Sequence, residues 1–176
     1  MITRNESIGM EALGAPRDAA GATKVRAIIW GTLVAGTLDI CAAILTWLMR
    51  DVAPPRVLQG VAAGLLGRDS FSGGAPTAAL GLFLHFSIMS VIVTLFVLAA
   101  SRSARLIPSR LLPAIVVGLA YGITVYLVMT YVVVPLSAAV GRPPTLAQFV
   151  QGVIVHMLCV GVPIALITRR VLRQDA

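Results

Sequence analysis

The fold class that the sequence predicts is all-α: an integral membrane four-helix bundle. Three observations lead there. Of the 176 residues, 58% are hydrophobic and only 12% charged, with a mean hydropathy of +0.93, which is far too apolar for a soluble domain of this length. Four segments, roughly 26–49, 77–100, 112–134 and 147–168, suit the about 20 helical residues that cross a hydrocarbon core of about 30 Å. The basic residues gather in alternate hydrophilic stretches, as the positive-inside rule requires of a multi-pass chain.

Residues 1–24 carry mixed charge and no apolar core, so they read as a disordered cytoplasmic tail rather than a secretory signal. The four-span domain covers residues 25–169. Its first span ends at Met49-Arg50-Asp51, followed by Pro54-Pro55 without a small-residue cleavage site, which predicts an uncleaved anchor. In residues 55–67, Leu58, Val61, Ala62, Leu65 and Leu66 recur at helical spacing, with Gly60, Ala63, Gly64 and Gly67 on the other side. This pattern predicts a short outer interfacial helix, too short to span. Two placements fit it: a lid across the outer end of the bundle, or a helix resting on lipid headgroups. Short connections join the last three spans, and residues 170–176 form a second cytoplasmic tail.

The formal net charge is +7, from 14 Lys plus Arg against 7 Asp plus Glu. On so apolar a chain that excess indicates loops beside anionic lipid, and nucleic acid is not an expected partner. Arg4, Arg17, Lys24 and Arg26 precede the first span, Arg102, Arg105 and Arg110 lie between the second and third, and Arg169, Arg170 and Arg173 follow the fourth. The opposite side holds Arg50, Arg56, Arg68 and Arg142, offset by Asp51 and Asp69. Both termini are therefore expected in the cytoplasm of a bacterium, with the chain in its inner membrane. Trp30 and Trp47, near opposite ends of the first span, suit the two interfacial belts or helix packing.

Ionisable side chains at mid-bilayer cost several kcal/mol unless they face the bundle interior and find partners. Asp39, His85 and His156 are of this kind, and their distances from the outer boundaries put them at one level together with Tyr126. Each shares its helix face with small residues: Ala35, Gly36 and Ala43 around Asp39, Gly81 beside His85, Gly122 beside Tyr126, and Gly152 beside His156. Gly118 and Gly122 have the GxxxG spacing of a helix-pairing face. The four polar residues thus converge in the interior.

A carboxylate, two imidazoles and a phenol suit zinc, iron or another transition metal. Cys41, Cys159, Met89 and Met157 lie nearby in depth, which admits copper, and each is equally explained as core. His85 and His156, on diagonal helices, suit a b-type haem ligated from both sides. The competing readings are a register-fixing brace and a proton or solute pathway. Gln148 and Gln151 extend the polar path outward, whereas below the cluster there is little to continue it beyond Thr32 and Tyr121. A site open to the outer side is favoured over a through-channel. Glycine-rich phosphate loops, GxSxG, HExxH and CxxC are all missing, so any catalysis is expected only at the same cluster.

Several local features resemble the YagU-like family of small bacterial inner-membrane proteins: Trp47 followed by an acidic residue and Pro54-Pro55-Arg56, His85 with Ser87 and Ile88, Gly118 with a polar residue eight positions on, and His156 ahead of Arg169-Arg170. The resemblance covers most of residues 40–172. It implies the same topology and retains His85 and His156 as a pair, but Tyr126 stands where the family pattern has a histidine, which weakens a three-histidine metal site. Metal or haem binding is the first functional expectation. A transporter or proton-linked stress protein is the second, and an accessory subunit of a larger membrane complex the third. A homo-oligomer is compatible with each.

Overall fold

The computed structural model describes residues 15–139 and 143–174. Among them there is no strand. The helices are α1 (Ala15–Leu48), α2 (Pro54–Leu66), α3 (Gly74–Ala100), α4 (Leu111–Leu136) and α5 (Leu146–Gln174). Four of them, α1 from Ala20 onward, α3, α4 and α5, are long and apolar enough to cross a membrane. Large apolar side chains stand exposed along all four, among them Leu33, Phe83, Leu112 and Leu158, as lipid-facing surfaces require.

Helix α1 begins at Ala15, within the stretch predicted to be a disordered tail. Pro16 falls in its first turn, where a missing N–H costs no hydrogen bond, and an alanine-rich segment carries the helix into the apolar run. Residues 1–14 lie outside the described residues. At its other end α1 closes with Asp51 at φ 59°. The Asp51 and Val52 amides donate to the Leu48 and Trp47 carbonyls, a Schellman arrangement in which an aspartate takes the left-handed position usually given to glycine. Pro54 and Pro55 then start α2 in the first turn that tolerates them.

Helix α2 is fastened to the start of α3 rather than laid on its own. A Cβ at Gly81 would meet the Leu58 carbonyl carbon at 2.7 Å, so the two backbones touch. Buried Gln59 donates to the Gly74 carbonyl and to Thr77 Oγ1, and Thr77 donates to the Ser70 carbonyl. Ala138 N–H donates to the Gly64 carbonyl at 2.9 Å, which ties α2 to the segment after α4.

The spatial order is α3, α1, α5, α4: α1 packs on α3 and on α5, and α5 packs on α4. The square of an up-and-down bundle is thereby opened on one side, where α3 and α4 stay apart. Tyr121 bridges that gap, its hydroxyl donating to the Ile92 carbonyl at 2.7 Å and its ring 4.8 Å from that of Phe96. On the closed sides glycines permit close approach, of side chains at α1–α3 and of backbones at α4–α5. A Cβ at Gly36 would lie 2.7 Å from the Phe86 ring, and one at Gly31 equally near Val93. The Gly118/Gly122 pair is used within the chain, against α5: added Cβ atoms there would lie 2.7 Å from Val162 Cα and 2.6 Å from Met157 Cα.

The region of α5 that receives these glycines is a π turn, His156–Gly161. Val162 N–H reaches the Met157 carbonyl five residues back, and Pro163, without an N–H, follows at once. Helix α4 repeats the device at Met129–Val133, two residues before Pro135. A proline removes one ladder bond and crowds the preceding turn, and a widened turn relieves both effects.

One end of the bundle gathers the N-terminal part of α1, the α3–α4 loop and the end of α5. Arg169 donates to the Pro108 and Ser109 carbonyls and Arg173 to that of Ile107. These bonds give residues 170–174, predicted to be a tail, a reason to remain helical. Lys24, Arg26, Arg102, Arg105, Arg110 and Arg170 lie on the same end. The apolar core, including Val93, Val97, Val160 and Ile164, all fully buried, fills the half of the bundle nearest that arginine-rich end.

Replacing Gly122 by valine is expected to cost about 1–3 kcal/mol, as overpacking of a close contact does, and to lower the unfolding temperature of the detergent-solubilised protein. Gly60→Ala, at a position with open space within 4 Å, is expected to leave that temperature unchanged or raise it slightly.

Candidate functional site

A cavity of about 980 Å³ opens at the end of the bundle opposite the arginine cluster, walled by α1, α4, α5 and the segment joining α4 to α5. Its size is within the range that receives small-molecule ligands. Asp39, Tyr126 and His156 line it at its inner part, and Thr46, Arg50, Gln148 and Gln151 line it toward the mouth. Both π turns border it, through Thr130 and Tyr131 on α4 and His156 on α5.

Tyr126 and His156 are held by local structure, and Asp39 is not. Tyr126 is 7% exposed. It stacks edge-on against His156 (centroids 5.2 Å apart) and Phe149 (5.4 Å), and it fits against Gly152, where an added Cβ would lie 2.7 Å from the ring Cζ. His156 Nδ1 lies 3.0 Å from the Gly152 carbonyl. A carbonyl only accepts, so Nδ1 carries the proton and Nε2 is left as the acceptor of the neutral ring. Asp39 is half-buried on α1, and none of the described residues gives it a hydrogen bond or an ion pair.

At the mouth, Arg50 donates to Gln151 Oε1 at 2.7 Å and lies 5.3 Å over the Trp47 ring, while Gln151 donates to Thr46 Oγ1 at 3.0 Å. This network ties the end of α1 to α5 across the opening. Gln148 closes a capping box with Thr145, each side chain bonded to the other residue's backbone N–H. The Thr145-Leu146-Ala147-Gln148 spacing is a sequence signature of a helix start and marks where α5 enters the wall. Tyr131 and the Thr46–Gln151–Arg50 network carry no such signature, because they depend on two helices meeting.

Of the four polar residues expected to converge, three share this cavity and His85 does not. His85 turns to α1, its Nε2 2.9 Å from the Gly36 carbonyl, and its ring packs edge-on against Phe86. The two imidazoles thus meet different surroundings, which does not suit a haem held between them. Among the described residues no group of three or more His, Cys, Asp or Glu side chains is close enough to hold a metal ion. Asp39, Tyr126 and His156 present one carboxylate, one phenol and one imidazole, fewer firm donors than a closed metal site uses.

Below Asp39 and His156 the packed core of Ala35, Met89, Val93, Val125 and Val160 takes over. Tyr121, one of the polar residues expected there, is occupied with Ile92, and Thr32 Oγ1 is buried with no partner among the described residues. The cavity is therefore closed toward the arginine-rich end. No residue of α2 lines it, so the interfacial helix does not serve as its lid in this conformation.

No protein-family model, characterised protein or solved structure matches the chain.

Because His85 bonds across the α1–α3 contact and faces away from the cavity, His85→Leu is expected to cost about 0.5–1.5 kcal/mol, the ordinary worth of one such hydrogen bond. Reversible unfolding in mixed micelles measures that loss. A much larger loss would mean that His85 supports more than this contact.

Proposed function

We propose that the protein binds a small organic cation with an apolar body in this cavity, as a multi-pass protein of a bacterial inner membrane whose arginine-rich end is cytoplasmic. One observation carries the reading: Asp39, a membrane-level carboxylate without a partner among the described residues, lines a large cavity that opens at one end of the bundle. A charge in that position costs free energy unless a counter-charge arrives, and a cationic ligand supplies it. Tyr126 and Tyr131 offer aromatic faces for the same ligand. Thr130, Gln148 and Gln151 offer hydrogen-bonding groups that orient it. Arg50, the basic residue at the mouth among the described residues, is engaged with Gln151 and Trp47 and stands well outward of Asp39 along α1.

A carrier is the second reading, favoured by the two π turns that border the cavity next to Pro135 and Pro163. Widened turns are places where a helix can change its course, and a bundle open at one end and sealed at the other is half of an alternating-access cycle. The resemblance to the YagU-like family enters the proposal only through His156 and Tyr126, the second being where this chain departs from that pattern. Metal and haem binding have less support, because His85 bonds Gly36 on α1 and does not line the cavity.

Tetraphenylphosphonium and tetraphenylborate, matched in size and opposite in charge, test the reading on the protein in lipid nanodiscs. Saturable binding of the cation, weakened at least tenfold in Asp39→Asn, is expected, a change that corresponds to about 1.4 kcal/mol. The anion is expected to show only the partitioning of empty discs. Equal binding of both ions, or an Asp39→Asn variant that binds the cation as the parent does, would overturn the proposal.

A further inference from the structure

On the open side of the bundle, between α3 and α4, lies a second concavity, a groove of about 660 Å³ whose lining is almost wholly apolar. Ile92, Phe96, Val117, Tyr121 and Met129 form its floor and walls, and Leu106, in the α3–α4 loop, closes it at the arginine-rich end. The Tyr121 hydroxyl is turned inward to the Ile92 carbonyl, so the groove offers its occupant no strong donor. At about 1.5 Å per residue, the part of α3 that lines it, residues 88–99, runs about 17 Å. The α4 wall, residues 117–133, is longer, about 24 Å, so the groove takes in one leaflet of a hydrocarbon core of about 30 Å and reaches past its middle.

The charge at its end is placed to match. Arg169 and Arg173 bond the carbonyls of Ile107, Pro108 and Ser109 and so fix the loop against α5. Arg105 and Arg110 flank this fixed segment, exposed, with no hydrogen bond or ion pair to any of the described residues. They border the same loop as Leu106, where the groove ends. From an apolar slot long enough for an acyl chain that ends beside two free guanidinium groups, we infer that the α3–α4 groove is a binding site for an anionic phospholipid. An acyl chain lies along Phe96 and Tyr121, and the phosphate sits at Arg105 and Arg110. Guanidinium groups suit phosphate oxygens, and the cytoplasmic leaflet is the one rich in anionic lipid. The site is separate from the Asp39 cavity, and its test does not depend on a ligand there.

The full chain, reconstituted in equal parts phosphatidylcholine and phosphatidylglycerol and extracted in mild detergent, reports its retained lipid by native mass spectrometry. The parent protein is expected to keep phosphatidylglycerol in preference to phosphatidylcholine. Arg105→Gln and Arg110→Gln are each expected to reduce that preference roughly fivefold while lipid is still retained. Ala120→Trp and Ala99→Trp, which fill the groove from opposite walls at exposed positions, are each expected to abolish retention without lowering the unfolding temperature. Retention of the two lipids in their bulk ratio by the parent protein would overturn the inference. So would unchanged retention in both tryptophan variants, or a lipid-free dimer that Ala120→Trp splits, since a second copy would then fill the groove.

Discussion

Everything in this bundle is arranged around the backbone contact between α4 and α5. Gly118 and Gly122 meet Gly161, Val162 and Met157 with no side chain between them. Lipid tails are as apolar as the side chains, so burying leucine gains little inside a membrane, and close approach of backbones becomes the main source of attraction. The contact needs glycine on α4 and a widened turn on α5 that presents its backbone at His156, Met157 and Gly161, and Pro163 is set where such a turn forms. The same turn presents His156 to the cavity and holds Tyr126 between His156, Phe149 and Gly152. The site is thus a by-product of the packing that makes the fold.

Pairing α5 with α4 on one side and with α1 on the other leaves α3 packed, among the spanning helices, chiefly on α1, at Gly31, Gly36 and the His85 bond, and joined to α4 through Tyr121. The open edge between α3 and α4 follows from this, and so do the two unlike concavities. The one that opens beside Asp39 is rimmed by polar groups, whereas the one between α3 and α4 is apolar along its length and charged only beyond its end. Helix α2 contributes to neither directly. Its hydrogen bonds through Gln59, Thr77 and Ser70 secure the turn that reverses the chain into α3.

Much of the fold was legible in the sequence because hydropathy and proline placement report it directly. The four apolar runs match the four long helices, the first overshooting α1 by one residue, and Pro54-Pro55 opens α2. Of the site, Asp39, Tyr126 and His156 were brought to one level by counting from span ends, and they share the cavity. His85 stands at a compatible depth but turns to α1, since depth along a helix is legible from spacing while azimuth depends on which neighbour packs there. The π turns were hidden for a similar reason: Pro135 and Pro163 signal a disturbed ladder, not the form the disturbance takes. The separation of α3 from α4 was illegible too, because a leucine or valine facing lipid has the same chemistry as one facing a helix.

The most direct test is cysteine accessibility at position 39. In a background with Cys41 and Cys159 replaced by alanine, Asp39→Cys is exposed to a membrane-impermeant thiol reagent from each side of oriented vesicles. Labelling only from the side opposite the arginine-rich end is the result the account requires. Labelling from the arginine-rich side, or none from either, would contradict a cavity that reaches Asp39 from one end of the bundle and stops there.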